Sequence, residues 1–368
     1  LLISGEVSGD LYASYLARQF KKNNSSHIIF GVGGDYLKKE VDTFVFESAY
    51  AHGIGLQSMF SKSNFKKALL STIKTCLEKN HIQKIVIIDF QHYNFAIAKI
   101  CKHYDVVIDT FVTPNFWMWK SHSNAKKVIG YSRYIYTIFK KEYDFYSTLT
   151  DNVFYFGHPL TDKSLIKNFH VNKQGLPIEC KRITFLPGSR LQELKLYLDP
   201  MLQTICKLSK QDPSYVFKIS LSATTYHDFI RKKLIFYQVP ESVLVFEDAA
   251  DLYAEADLVV AAAGTTTLEA ILSDTLIIVL AALPPLTYLY AKICFGRFIK
   301  YAALPNFMCN QIIVPELIQS DISAKSIIEQ IRLVNKNKQA ILAKYHLVVK
   351  NISKDKNVFE QIYKKLCA

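Results

Sequence analysis

The segment Leu258-Val-Val-Ala-Ala-Ala-Gly-Thr-Thr-Thr-Leu-Glu269 constrains the fold more than any other stretch of the chain. An apolar run of strand length breaks at Gly264, three hydroxyl residues follow, and a helix-forming Leu268-Glu-Ala-Ile-Leu272 begins. A strand that passes through a tight turn into a helix N-terminus is the repeating unit of α/β proteins. The alternation recurs along nearly the whole chain. Strand-like runs stand at Ile28-Ile-Phe-Gly31, Lys84-Ile-Val-Ile-Ile-Asp89, Val106-Val-Ile-Asp109, Arg182-Ile-Thr-Phe-Leu186, Val243-Leu-Val-Phe246 and Leu276-Ile-Ile-Val-Leu280, separated by helical stretches. Short strands that are apolar on both faces need helices above and below the sheet, which predicts parallel sheets. A chain of 368 residues suits two such domains better than one large sheet.

The boundary is expected after Phe156-Gly-His-Pro-Leu-Thr-Asp162, where Gly and Pro turn a linker; a fresh β/α series starts at Arg182. The expected domains are residues 1–165, joined by a C-terminal helix at about 345–368, and residues 166–344. Seven scattered cysteines without a Cys-x-x-Cys pair predict buried thiols in a reducing compartment, not disulfides or a zinc site. The sequence opens inside a strand at Leu1-Leu-Ile-Ser without a signal-peptide pattern. Its longest apolar stretch, Leu276 to Leu289, is broken by Pro284-Pro285 and falls short of a membrane span. A cytoplasmic protein is expected.

The formal net charge is +13. Between Ile331 and Ala368 nine basic residues face only Asp355 and Glu360. No paired Cys/His, aromatic RNP string or Arg-rich run accompanies the charge, so nucleic acid is not expected as a partner. Lysine predominance suits diffuse attraction to an anionic membrane surface, or a solvated surface with no partner at all.

Several turns carry possible chemistry. At Gly264-Thr265 the free N–H groups and dipole of a helix N-terminus attract an anion, while Glu269 is suited to accept from sugar hydroxyls. Phosphate and ribose together suggest a nucleotide; the alternative is an ordinary capped helix with an exposed Glu. Ser4-Gly-Glu-Val-Ser-Gly-Asp10 follows the first strand with two glycines and two acids, favouring hydroxyl recognition or proton transfer. Alternatively, Ser8 or Asp10 only caps a helix beginning at Leu11. Gly31-Val-Gly-Gly34 reads as a plain turn. Asp89 ends an apolar strand at the carboxyl end of a parallel sheet, where it serves either as a general base or as a helix cap. In Leu186-Pro-Gly-Ser-Arg190, Gly188 and Ser189 offer donors and Arg190 a bidentate grip on a diphosphate. Pro114-Asn-Phe-Trp-Met-Trp119 holds both tryptophans, for which packing is the expectation, and His158 is expected to be structural. No Ser/His/Asp arrangement and no metal-ligand spacing appears.

Taken in order, these motifs resemble those of the lipid-A-disaccharide synthase family, inverting glycosyltransferases of the GT-B fold. Ser4 to Asp10 is similar to the family's Gly-Glu-x-Ser-Gly-Asp opening, Val32-Gly-Gly34 to the following Gly turn, and Asp89 to the first Asp of Asp-x-Pro-Asp-Phe-Asn. Pro114 to Trp119 resembles Pro-x-x-Trp-Ala-Trp, and Gly157-His-Pro its linker. Leu186 to Arg190, Gly264-Thr265 with Leu268-Glu269, Pro285-Leu-Thr-Tyr288, Leu304-Pro-Asn306 and Val314 to Gln319 complete the series. The resemblance implies two Rossmann-like parallel-sheet domains facing across a cleft, with the C-terminal helix returning to the first. It implies a donor, UDP-2,3-diacylglucosamine, and an acceptor, 2,3-diacylglucosamine 1-phosphate, giving tetraacyl-disaccharide 1-phosphate and UDP without cofactor or metal. In that scheme Asp89 is the base and Glu6 a second acid. Ser8, Gly188, Ser189, Arg190, Gly264, Thr265, Glu269 and Asn306 bind substrate, with Glu269 on the ribose and Asn306 on the donor. The resemblance further implies work at the cytoplasmic face of the inner membrane and a homodimer. The mixed aromatic and basic segment Thr287 to Lys300 is either an interfacial helix or a core helix.

The chain departs from the family pattern at Gln91 and His92 for Pro and Asp, at Ala263 for Ser, at Ala281-Ala282 for a Tyr-Arg pair, and at Asn310-Gln311-Ile312 for Gly-Arg-Glu. Two other functions fit the same reading: another sugar-nucleotide enzyme, such as an epimerase or a different transferase, and a non-catalytic relative that binds membrane or nucleotide.

Overall fold

A computed structural model describes residues 1–23, 26–48, 59–91, 93–118, 120–168, 179–188, 190–221, 226–246, 249–284, 288 and 301–368. The chain divides into two compact units, Leu1–Ser164 with Ile352–Ala368, and Leu165–Asn351. The segment Thr287 to Lys300 lies outside the described residues apart from Tyr288.

In the first unit, strands β1 (Leu2–Ser4), β2 (Phe30–Gly33), β3 (Thr43–Glu47), β4 (Lys84–Ile88), β5 (Val107–Phe111), β6 (Ile135–Thr137) and β7 (Val153–Tyr155) form a parallel sheet in the order β3-β2-β1-β4-β5-β6-β7. Between them run α1 (Val7–Asn23), α2 (Asp35–Lys38), α3 (Met59–Lys79), α4 (Asn94–Cys101), α5 (His122–Tyr131) and α6 (Lys140–Ser147). The second unit pairs β8 (Arg182–Leu186), β9 (Val216–Ser220), β10 (Leu244–Val245), β11 (Leu258–Ala262), β12 (Leu276–Ala281) and β13 (Glu316–Ile318) in the order β10-β9-β8-β11-β12-β13, again parallel. Its helices are α7 (Leu191–Gln211), α8 (His227–Tyr237), α9 (Ala249–Glu255), α10 (Thr266–Leu272), α11 (Leu304–Cys309) and α12 (Ala324–Ile352). The chain then returns to the first unit with α13 (Val358–Cys367). Two parallel α/β units are what the sequence predicts.

The central strands are apolar on both sides because both sides are covered. Ile85 to Ile88 in β4 and Leu276 to Leu280 in β12 are all buried. Cys76, Cys101 and Cys180 are buried free thiols, as expected, whereas Cys206 and Cys309 are half-buried and Cys367 is exposed. Helix α13 carries Val358, Phe359, Ile362 and Leu366 on one face, all buried. Phe359 lies against the rings of Tyr12, Tyr15 and Phe111. At the helix C-terminus, the Leu366 carbonyl accepts from Lys84 Nζ and from Arg133 Nη2 (3.2 Å), where two cations meet the negative end of the helix dipole. Arg133 is itself fixed by buried Asp109 through bonds of 3.1 and 2.8 Å.

The loops after β5 and β6 are tied by one carboxylate. Glu142, in the first turn of α6 and fully buried, accepts from the hydroxyl and N–H of Thr113 and from the N–H groups of Ile138 and Phe139. Burial pushes its carboxyl up to about 7 from the ordinary 4.5, against these four hydrogen bonds, which favour the ionised form. Between those two values the folded chain keeps a proton that the unfolded chain has lost, so this group's contribution to stability falls as pH rises from 4.5 to 7. Glu142→Gln removes the titration. In urea unfolding from pH 4 to pH 8, wild type should therefore lose stability relative to the variant across that window, and a pH-independent difference would contradict this account of the carboxylate.

Candidate active-site loops

In an open parallel sheet, ligands bind outside the carboxyl ends of strands where the strand order reverses direction, because helices on either side there pack on opposite faces and leave a crevice. Each unit has one such point. In the first it lies between β1 and β4, and in the second between β8 and β11. The loops that follow these four strands carry Glu6 and Ser8, Asp89, Gly188 and Arg190, and Gly264 to Glu269. Nearly all residues singled out in the sequence thus fall at two topologically equivalent positions, one per unit.

In the first unit the exits of β1 and β4 are packed without spare room. A Cβ on Gly5 would fall 1.9 Å from the Phe90 ring, and one on Gly9 would meet the Asp89 Cβ at 2.9 Å. Both positions therefore need glycine. The contact brings the first turn of α1 onto Asp89, whose Oδ2 accepts a 2.9 Å hydrogen bond from Ser8 Oγ. Asp89 is only 9% exposed and has a left-handed φ of 45°. Asp tolerates that region better than most residues. Its N–H donates to the Phe111 carbonyl at 3.1 Å, anchoring the exit of β4 to that of β5. Ser8, expected on substrate, is thus seen to orient the carboxylate. Glu6 is half-buried in the turn, and its carbonyl accepts from the Asp10 N–H at 2.8 Å.

Asp10 has a different role from the ones expected for it. Helix α1 begins at Val7, so Asp10 lies inside it and does not cap it. Its buried carboxylate accepts from the N–H groups of Gly34 (2.7 Å), Tyr36 (2.9 Å) and Leu37 (3.3 Å), which caps α2. Burial raises its carboxyl above the ordinary range, opposed by those three donors. The Gly31 to Gly34 turn is therefore more than a plain one: a Cβ on Gly33 would come within 2.6 Å of Asp10 Oδ1. Trp117 is buried and packs on Phe139 with ring centroids 5.9 Å apart, in keeping with the packing expectation. His158 is also structural. Burial pushes its imidazole down to about 3, and its neutral Nδ1 accepts from the Leu160 N–H at 3.2 Å. His92 and Trp119 lie outside the described residues.

In the second unit, Gly188 has a left-handed φ of 100°, and a Cβ there would lie 2.2 Å from Glu193 Oε2. Arg190 stands at the N-cap of α7. Glu193, three residues on, accepts from its backbone N–H (3.1 Å) and from Nη1 (3.2 Å). The Arg190 side chain is 47% exposed. The expected anion grip is thus already held by an internal carboxylate that the motif reading missed, although the spacing of three is that of a capping box. Ser189 lies outside the described residues.

At the exit of β11, Gly264 is exposed and Thr265 occupies the N-cap of α10. The Gly264 carbonyl accepts from the Thr267 N–H (3.2 Å) and from the Thr267 hydroxyl. Glu269 is half-buried and accepts a 3.0 Å bond from the phenol of Tyr253. Burial raises the Glu269 carboxyl, and the phenol opposes the rise. Tyr253 had no local signal in the sequence, because it lies on α9, 16 residues before Glu269 and separated from it in the chain by β11. Asn306, expected on the donor, has its amide engaged by the backbone. It is fully buried; its Oδ1 accepts from the N–H groups of Ile313 (2.7 Å) and Val314 (2.9 Å), and its Nδ2 donates to the Val314 carbonyl (2.8 Å). Its amide braces the approach to β13.

A family model described as lipid-A-disaccharide synthetase matches residues 1–367. Curated relatives named lipid-A-disaccharide synthase include one from Nitrosococcus oceani, 26% identical over 353 residues and covering 94% of this chain and 90% of the relative. Another, from Coxiella burnetii (strain CbuK_Q154), is 27% identical over 351 residues, covering 94% and 91%. Among solved structures, UDP-GlcNAc 2-epimerase from Neisseria meningitidis bound to UDP-GlcNAc superposes with a TM-score of 0.66 at 13% identity, covering 100% of this chain and 98% of the other. The Methanocaldococcus jannaschii UDP-GlcNAc 2-epimerase in complex with UDP-GlcNAc and UDP gives 0.61 at 11%, with the same coverage. At such identities the structural likeness concerns the fold, a GT-B-like pair of Rossmann-type units.

Proposed function

The chain belongs to the lipid-A-disaccharide synthase family, a glycosyltransferase of lipid A biosynthesis, and on that premise we propose how its loops divide the chemistry. The donor is UDP-2,3-diacylglucosamine and the acceptor 2,3-diacylglucosamine 1-phosphate, joined to tetraacyl-disaccharide 1-phosphate with release of UDP. The observation that carries the assignment is the coincidence of the acidic motifs with the switch point of the first sheet, and of the anion-ready turns with that of the second.

Asp89 acts as general base on the acceptor hydroxyl. The Ser8 bond to Oδ2 fixes the carboxylate plane for that task. Glu6, from the neighbouring loop, is the second acid of the sugar site. A developing diphosphate charge needs donors already in place. Gly188, Ser189, Gly264, Thr265 and Arg190 supply them, and Glu269 accepts from the ribose. With Ala263 in place of the family's Ser, the turn relies on backbone N–H groups and Thr265. Asn306 shapes this region through the 313–314 backbone and not by direct contact.

The lipid substrates and the charge of +13 support peripheral attachment to the anionic cytoplasmic face of the inner membrane. No helix among the described residues is long and apolar enough to cross a membrane. A homodimer is part of the same reading, by resemblance to the family.

Purified protein given both lipids should release UDP. Asp89→Ala should lower turnover by roughly 10²–10⁴-fold, the usual contribution of a general base, and leave UDP affinity unchanged. Ser8→Ala, which frees the carboxylate without removing it, should cost about tenfold in kcat. A fully active Asp89→Ala would remove Asp89 from the mechanism, and UDP binding without release from wild type would favour the non-catalytic reading. Binding to anionic vesicles should weaken as salt rises from about 0.05 to 0.5 M, the range in which the screening length shrinks through contact distances. Equal binding to neutral vesicles would reject electrostatic attachment.

A further inference from the structure

We infer that Tyr253 is a positioning residue for nucleotide recognition, its phenol holding one oxygen of Glu269 so that the other is presented to the vicinal diol of a ribose. The inference rests on the proposed role of Glu269 and adds the group that makes the role geometrically specific. The Tyr253 ring is 1% exposed, and its backbone carbonyl is fixed by the Thr275 hydroxyl at 3.2 Å. Its single phenolic proton has two acceptors within reach, Glu269 Oε2 at 3.0 Å and the Thr266 carbonyl at 3.4 Å. The shorter bond goes to the carboxylate, which as an ionised acceptor also makes the stronger one. Among the described residues no group hydrogen-bonds Glu269 Oε1.

A glutamate has three side-chain torsions, and a half-buried one without an anchor samples several carboxylate orientations. The buried phenol removes that freedom. Burial alone favours protonation of Glu269, and a protonated acid would compete as a donor with ribose hydroxyls; the phenol opposes this and keeps the group an acceptor. The ligand class is therefore a nucleoside diphosphate with an intact ribose diol, and Tyr253 contributes to the ribose part of its affinity and not to the phosphate part.

Calorimetric titration of UDP and 2′,3′-dideoxy-UDP into wild type, Tyr253→Phe and Glu269→Gln tests this. Wild type should prefer UDP by roughly tenfold or more, as a site built to pair hydroxyls rejects the analogue lacking them. Tyr253→Phe keeps the ring and its packing. It should weaken UDP about five- to tenfold while leaving the dideoxy analogue unchanged, the effect of one lost charge-assisted hydrogen bond. Glu269→Gln should lose at least as much preference, and the double variant no more than Glu269→Gln alone. Equal weakening of both nucleotides by Tyr253→Phe would mean a merely structural tyrosine and overturn the proposal, as would an unchanged preference. A wild type that does not distinguish the two nucleotides overturns the ribose role of Glu269 and this inference together.

Discussion

The pairing of β1 with β4 is the constraint on which the first unit's functional end depends. Leu2, Ile3 and Ser4 run in register with Val86, Ile87 and Ile88, and from this seam the strand order proceeds in opposite directions. Just beyond the paired residues, Gly5 lies against the Phe90 ring and Gly9 against Asp89, with no room for a β-carbon at either. Only after the backbones have closed to that distance does a serine hydroxyl reach a carboxylate from another strand, and only then is Asp89 held in a left-handed conformation by its bond to Phe111. The pairing of β11 with β8 sets up the same relation in the second unit, where the turns of Gly188 and Gly264 leave adjacent strands.

Much of this was legible in the sequence because parallel strands are locally loud. The run Arg182–Leu186 coincides with β8, and the run Lys84 to Asp89 exceeds β4 only by Asp89, which has left the strand for the turn. Less pure runs mark strand ends less sharply. β2 starts at Phe30, two residues later than the run at Ile28, an exposed isoleucine with no sheet partner across it, and β5 continues through Asp109 to Phe111. A buried aspartate inside a strand violates the apolar pattern, and it is tolerated there because Arg133 and the Tyr134 N–H satisfy it. That compensation comes from tertiary structure and leaves no local trace.

The acids show why motif reading finds positions more readily than roles. Asp10 and Glu269 both stand in the first turn of a helix that follows a strand, yet Asp10 spends its oxygens on three backbone N–H groups and Glu269 accepts from a single phenol. The first pattern saturates a carboxylate and fixes a backbone; the second orients one oxygen and leaves acceptor capacity in hand. Asn306 follows the first pattern. Which pattern holds depends on partners 24 or more residues away for Asp10 and 16 for Glu269, beyond any window in which side-chain spacing carries information.

The Arg190–Glu193 pair has a consequence for selectivity. A guanidinium that already has a carboxylate partner gives little to a passing anion, since capture means exchanging one counter-ion for another of the same sign. A small monoanion cannot repay that exchange, whereas a diphosphate, with more charge and oxygens enough for a fork of donors, can. With Arg190 in its proposed diphosphate role, the glutamate acts as a threshold: it keeps a chain of high positive charge from filling the proposed nucleotide loop with chloride or inorganic phosphate, and it reserves the arginine for a ligand that also engages the neighbouring turn.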